Sequence, residues 1–180
     1  MSFVRRTASP IADDFEKRKK EVLAPIFFEA GAALHDCQSF EYGIAYLLYL
    51  FSRLGAGGLD PARCAAILDD EEKKTAGQLV QMLQKHVRIS DGLEHGLTKA
   101  LEARNRLIHR YLVENIERMM DVAEHEALVK EIRALRSTVR RSQKQLDPFV
   151  RALAESIDGA PFDTWASAAK EQFLRDTREH

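Results

Sequence analysis

Between Leu128 and Leu153 the residues Leu128, Ile132, Leu135, Val139, Ser142, Leu146, Phe149 and Leu153 follow one another in alternating steps of four and three. Only an α-helix gathers residues so spaced onto one side, and the pattern is that of a coiled-coil-like seam. Ser142 is its one polar member. A stripe of this length must be covered by another long helix, either from the same chain or from a second copy, and periodicity serves both. Pro148 falls inside the seam and is expected to kink it or to split it in two. No segment alternates like a strand, and the few Gly and Pro residues fall mostly at breaks between helical stretches. The expected class is therefore all-α, a helical bundle with four to five core helices.

The remaining elements follow from the same periodicity. Residues 1–12 read as a loose arm. A short charged helix is expected over about 13–23, stopping near Pro25. A long helix over about 26–54 carries the stripe Leu34, Cys37, Glu41, Ile44, Leu48, Phe51 and ends at Gly55–Gly58. Pro61 suits the first turn of a short helix to about Leu68. The acidic run 69–72 separates it from a helix near 75–87. Ser90 or Asp91 can cap a helix over about 92–114, with the stripe Leu93, Leu97, Leu101, Arg104, Ile108. A break at Asn115 and Ile116 precedes the seam helix, about 122–157. Gly159–Pro161 reads as a turn, and Trp165, Ala169 and Phe173 mark a terminal helix. The whole, 1–180, reads as a single domain: a 26–116 core and a 121–180 helical extension.

Totals narrow the function. The chain is 45% hydrophobic, enough for a core without staples, and its formal net charge is −1. Long-range attraction to a polyanion is excluded as a whole-molecule property, so any nucleic-acid contact needs a local basic patch. Two separated cysteines, Cys37 and Cys64, make neither a disulfide framework nor a zinc motif. The N-terminus lacks the apolar run of a signal peptide, and 42–51 is too short to span a membrane. The expectation is a cytoplasmic protein with no cofactor and no metal.

Two charges interrupt stripes that should face the core: Glu41 and Arg104. A buried charge is costly unless paired, so neighbouring helices joined by a Glu41–Arg104 pair are one solution. The other is that each stands at the edge of its stripe and reaches water. Around Arg104, a continuous helix would turn about 100° per residue, bringing Tyr111 back to within about 20° of it. Arg104, Asn105, His109 and Tyr111 would then share one broad polar face, flanked by Arg106 and Arg110. Arginine with histidine suffices for metal-independent RNA cleavage. Histidine exchanges a proton near neutral pH, arginine clamps phosphate and stabilises the charge of the transition state, and the 2′-hydroxyl is the nucleophile. One histidine cannot serve as both acid and base, but a symmetric second copy would supply another.

The string Arg104–Tyr111 (RNRLIHRY) resembles the motif of the HEPN family: an arginine, often a polar residue next, and a histidine a few residues on. Here four residues separate Arg104 from His109, with Asn105 in the polar place. His109-Arg110-Tyr111 is similar to HepT-like toxins, in which the histidine is followed by any residue and a tyrosine. Leu112–Met120 also resembles the run that follows in that group. The resemblance implies a helical bundle that forms a homodimer with two Arg–His motifs facing one cleft. It implies a metal-independent endoribonuclease with RNA as substrate, the toxin of a toxin–antitoxin pair whose nucleotidyltransferase antitoxin modifies the tyrosine. Arg104 and His109 would be catalytic, Asn105 supporting, and Tyr111 the modification target; Glu41, from the stripe reading alone, is a supporting candidate that would fix the direction of Arg104. The chain departs from the pattern in its length beyond the motif. A non-catalytic HEPN-like module that binds RNA or a protein is the alternative, and a dimeric adaptor using the 122–157 seam is a third.

One further feature stands out. Arg133, Arg136, Arg140, Arg141 and Lys144 follow one another with no acid between them, mostly on one face beside the seam. They are candidates for RNA phosphates, although no aromatic residues interleave them for stacking. The adjacent His35, Asp36 and Cys37 splay around a helix and cannot converge on a metal. No glycine-rich phosphate loop follows a strand.

Overall fold

A computed structural model describes the backbone of residues 10–159 and the side chains of 19–157. The terminal helix expected around Trp165, Ala169 and Phe173 lies outside the described residues, as do positions 1–9. The described chain is an all-α bundle. Its six α-helices are α1 (Pro10–Arg53), α2 (Pro61–Leu68), α3 (Ala76–His86), α4 (Asp91–His109), α5 (Tyr111–Glu114) and α6 (His125–Asp158), with 3₁₀ turns at Ala56–Gly58, Arg118–Met120 and Val122–Glu124.

Neither proline breaks its helix. α1 runs unbroken through Pro25 from Pro10, so the expected separate helix over 13–23, its stop, and the loose arm over 10–12 are all corrected. α6 likewise runs through Pro148. A proline removes one intrahelical bond. Flanking burial keeps the helix going: Ile26 is buried one residue past Pro25, and Leu146 two residues before Pro148.

The two long helices form the spine. Arg133 and Arg136 of α6 reach Glu29 of α1, and Arg136 also reaches Asp36. Leu128 and Ile132 share an apolar cluster with Ile26 and Ala33, while Val139 and Leu146 join Cys37, Phe40 and Ile44 in another. α6 therefore runs beside α1 in the same chain direction. The seam is covered within the chain, by α1 and α4. Phe149 is its exception, half exposed. Ser142 is buried with its hydroxyl unpartnered among the described residues.

Of the shorter helices, α2 and α3 pack on α1, and α4 packs chiefly on α6. Asp60 caps α2 by accepting from the Ala62 amide, with Pro61 in the first turn. Thr75 and Gln78 form a reciprocal capping box at the start of α3. Ser90 caps α4. Gly57, at φ 63°, carries a carbonyl that meets the His86 ring nitrogen at 2.6 Å, joining the turn after α1 to the end of α3.

α1 and α4 are each rotated slightly from their expected phase. On α1 the buried set is Ala33, Cys37, Phe40, Ile44, Leu47 and Leu48, while Leu34 is exposed. On α4 it is Leu93, Leu97, Ala100 and Ala103. Alanines pack closest, so α4 turns its small residues inward and leaves Leu101 and Ile108 only half-buried.

Candidate functional site

The rotation of the two helices puts Glu41 and Arg104 at stripe edges facing each other. Arg104 Nε donates to Glu41 Oε1 at 2.7 Å, with the side chains 15% and 25% exposed. Both solutions foreseen for these charges hold at once: they are paired across 63 positions of sequence, and they stand at the rim rather than in the core. A pair of this kind fixes a guanidinium in direction without sealing it from water.

The rest of the guanidinium is divided. Nη1 lies 3.0 Å from Asn105 Oδ1 and 3.0 Å from His109 Nε2. An arginine only donates, so His109 Nε2 must be the acceptor, and the ring proton then resides on Nδ1. The arrangement presents a histidine lone pair next to a positive charge. Nη2 makes no hydrogen bond to a described residue. Both Asn105 and His109 are exposed.

These groups line an open concavity of about 840 Å³, bordered by Thr75, Gly77, Glu102, Arg104, Asn105, Arg106, His109, Arg110 and Glu114. α4 supplies the Arg–His set, and the start of α3 forms the opposite wall. Arg106 and Arg110 both line the concavity; Arg106 also lies 3.9 Å from Glu114 and over the Tyr111 ring. Sequence reasoning missed Thr75, Gly77, Glu102 and Glu114. A capping box marks Thr75 as a helix start but carries no sign of what that start faces.

Tyr111 does not share this face. α4 stops at His109, and Arg110 leaves helical geometry with φ −131° and ψ −38°. The expected helix to Glu114 is therefore interrupted, and the rotation that would carry Tyr111 back beside Arg104 is broken. Tyr111 is instead 1% exposed, in the cluster with Ile26, Leu128 and Ile132. Its hydroxyl donates to the Leu128 carbonyl at 3.1 Å and to Glu131 Oε2 at 3.0 Å. Burial, then the Glu131 carboxylate, push that hydroxyl well above the ordinary tyrosine range. Arg118 clasps the other side of Glu131 and also reaches Glu124 and Asn115. Nothing about the tyrosine is presented to the concavity.

The basic run of α6 lines a different groove, with no residue in common with the first. Cys37 is buried, and burial pushes its thiol up to about 11, which leaves it unreactive at neutral pH. Among the described residues no cluster of His, Cys, Asp or Glu is placed to hold a metal ion, and no helix is long and apolar enough to cross a membrane.

The fold and site thus define an all-α bundle that carries an arginine–histidine pair on the floor of an open concavity. Comparison of the chain with protein-family models, with curated proteins and with solved structures finds no match.

Proposed function

We propose that the chain is a metal-independent endoribonuclease of the HEPN type, with Arg104 and His109 as its catalytic pair. One observation carries this reading: Arg104 reaches His109 with one nitrogen while Glu41 holds its other edge, and Nη2, beside an open concavity, has no hydrogen-bond partner among the described residues. In the proposed step an RNA phosphate takes the Nη1 and Nη2 edge. His109 Nε2, released from Arg104, accepts the proton of the neighbouring 2′-hydroxyl. The 2′-oxygen attacks phosphorus and the bond to the 5′-oxygen breaks, leaving a 2′,3′-cyclic phosphate. The departing 5′-oxygen needs a proton, and in a homodimer the second copy's histidine would supply it. Asn105 steadies Arg104 through its side-chain oxygen. Arg110 adds positive charge at the rim.

The test is His109→Ala with a single-stranded RNA in the presence of a chelator. Loss of one general acid–base group should slow cleavage by about 10²–10⁴-fold while the helical circular-dichroism spectrum persists. Equal cleavage by variant and parent would refute the assignment. A toxin role and a nucleotidyltransferase partner extend the same proposal. Such a partner would need the segment around 110–124 to open before it met the Tyr111 hydroxyl. The runner-up is a non-catalytic helical module. It is favoured by the charge of Arg104 already being matched by Glu41, and it predicts RNA binding without cleavage.

A further inference from the structure

Arg133, Arg136, Ser137, Arg140, Arg141 and Lys144 line a groove of about 380 Å³ along the solvent side of α6. Its cations fall into two kinds. Arg133 and Arg136 are anchored: Arg133 reaches Glu29, and Arg136 reaches both Glu29 and Asp36. Glu29 is 5% exposed and is surrounded by these arginines. Arg140, Arg141 and Lys144 are exposed and form no ion pair with a described residue. Arg136, Arg140 and Lys144 stand four residues apart, so like charges lie one above another, an arrangement that opposes the helix rather than supporting it.

A solvated helix face is normally laced with acids that relieve such repulsion. Here none occurs between Glu131 and Asp147. The two available carboxylates, on α1, are used to hold one end of the row in place. What remains unpaired is a cationic patch from Arg140 to Lys144, about 6 Å along the helix, at the end of a basic run about 16 Å long, on a chain whose charges otherwise nearly cancel. A repeating polyanion matches it, and its lack of interleaved aromatic rings points to phosphate contact without base reading.

We infer that this α6 groove is an RNA-backbone binding site, separate from the Arg104–His109 concavity, with Arg140, Arg141 and Lys144 contacting phosphates and Arg133 and Arg136 shaping the groove. The inference adds a second contact for the substrate class proposed above but does not require cleavage there.

The experiment measures binding of a labelled single-stranded RNA oligonucleotide to the full chain carrying His109→Ala, across a salt series, with and without Arg140→Gln, Arg141→Gln and Lys144→Gln together. Each phosphate contact contributes about −0.7 to the slope of log affinity against log salt. Loss of three should flatten the slope by about 2, so that from roughly 50 to 200 mM salt the parent loses roughly 20-fold more affinity than the variant. The melting temperature of the triple variant should hold or rise. Parallel salt lines would overturn the inference, as would a lowered melting temperature, which would make these cations part of the fold. Binding to anionic phospholipid vesicles with none to RNA would also overturn it. RNA bound through the row but left intact by the wild type would sink the catalytic reading and keep this one. Cleavage with parallel salt lines would do the reverse.

Discussion

Replacing Glu41 with alanine should damage both stability and cleavage, because the carboxylate fixes an arginine that is mostly buried yet functionally directed. Exposed ion pairs contribute about 0–1 kcal/mol, whereas removing one partner of a fully buried pair costs about 3–5 kcal/mol. With Arg104 15% and Glu41 25% exposed, the pair lies between, at about 2 kcal/mol. For a chain of this size that corresponds to a melting temperature lower by roughly 4–8 °C. Glu41→Gln keeps an acceptor for Arg104 Nε but removes the charge, so it should lose about half as much. Cleavage should fall further than stability suggests, by up to about 100-fold, since a guanidinium displaced by an ångström no longer meets the phosphate. The assay is a double-mutant cycle of Glu41→Ala with Arg104→Ala, read by urea unfolding under far-ultraviolet circular dichroism, with RNA cleavage of the single variants in parallel. Single effects that add to within about 0.5 kcal/mol would refute the coupling. Unimpaired cleavage by a stably folded Glu41→Ala would refute the positioning role.

Two further predictions concern the bundle. Tyr111→Phe keeps the buried ring but deletes the donor to Leu128 and Glu131, and should cost about 1 kcal/mol, a fall of roughly 2–4 °C in melting temperature, checked by calorimetry. An unchanged melting temperature would mean that the hydroxyl is not the tie the geometry describes. Burial would by itself raise the Glu29 carboxyl, but Arg133 and Arg136 outweigh it and leave Glu29 below the usual carboxylate range. The folded form thus holds the charged state longer than the unfolded chain does. The stabilisation is present above the ordinary glutamate value of about 4.3 and is lost as pH falls through that value toward the folded one. The stability gap between wild type and Glu29→Gln should therefore shrink as unfolding is measured from neutral to acid pH. A gap that widened in acid would contradict the sign.

Most of the architecture was legible because it depends on periodicity. The seam, α2, α3 and the start of α4 follow from apolar spacing, from Pro61 as a first-turn residue and from Ser90 as a cap, whereas the caps Asp60 and Thr75 emerge only in the structure. The pairing of Glu41 with Arg104 was also readable, since two charges on apolar stripes have few inexpensive solutions. The prolines misled because their local effect is real but small beside the burial of residues such as Ile26 and Leu146 on either side. The phase of α4 was hidden by its own leucines. Leu101 and Arg104 read as the stripe, yet Ala100 and Ala103 take the inner positions, buried in the central apolar cluster. The end of α4 carried no signal at all: neither Gly nor Pro stands between His109 and Tyr111. The break at Arg110 accompanies a tertiary fact, a large aromatic ring burying itself against α1 and α6, and local propensity contains nothing of that kind.

That break bears directly on how the concavity is built. A helix continued through Tyr111 would have set a phenol beside Arg104, where its hydroxyl would compete for the guanidinium. By leaving the helix at Arg110, the chain sends the ring inward and leaves His109 on the last turn, exposed and within reach of Nη1. Glu41 then decides which edge of Arg104 remains available. Bound at Nε, it turns the Nη edge toward His109 and the open side. Had the carboxylate bridged both Nη atoms instead, the edge shared by Nη1 and Nη2 would have been occupied within the fold and closed to a phosphate. The carboxylate that keeps Arg104 folded is therefore compatible with catalysis because of the edge it occupies. Among the described residues lining the concavity His109 is the one imidazole, beside the carboxyls of Glu102 and Glu114, so a single chain offers no second imidazole to protonate the leaving oxygen. This is why the proposed reaction calls for a second copy of the chain rather than for another residue of this one.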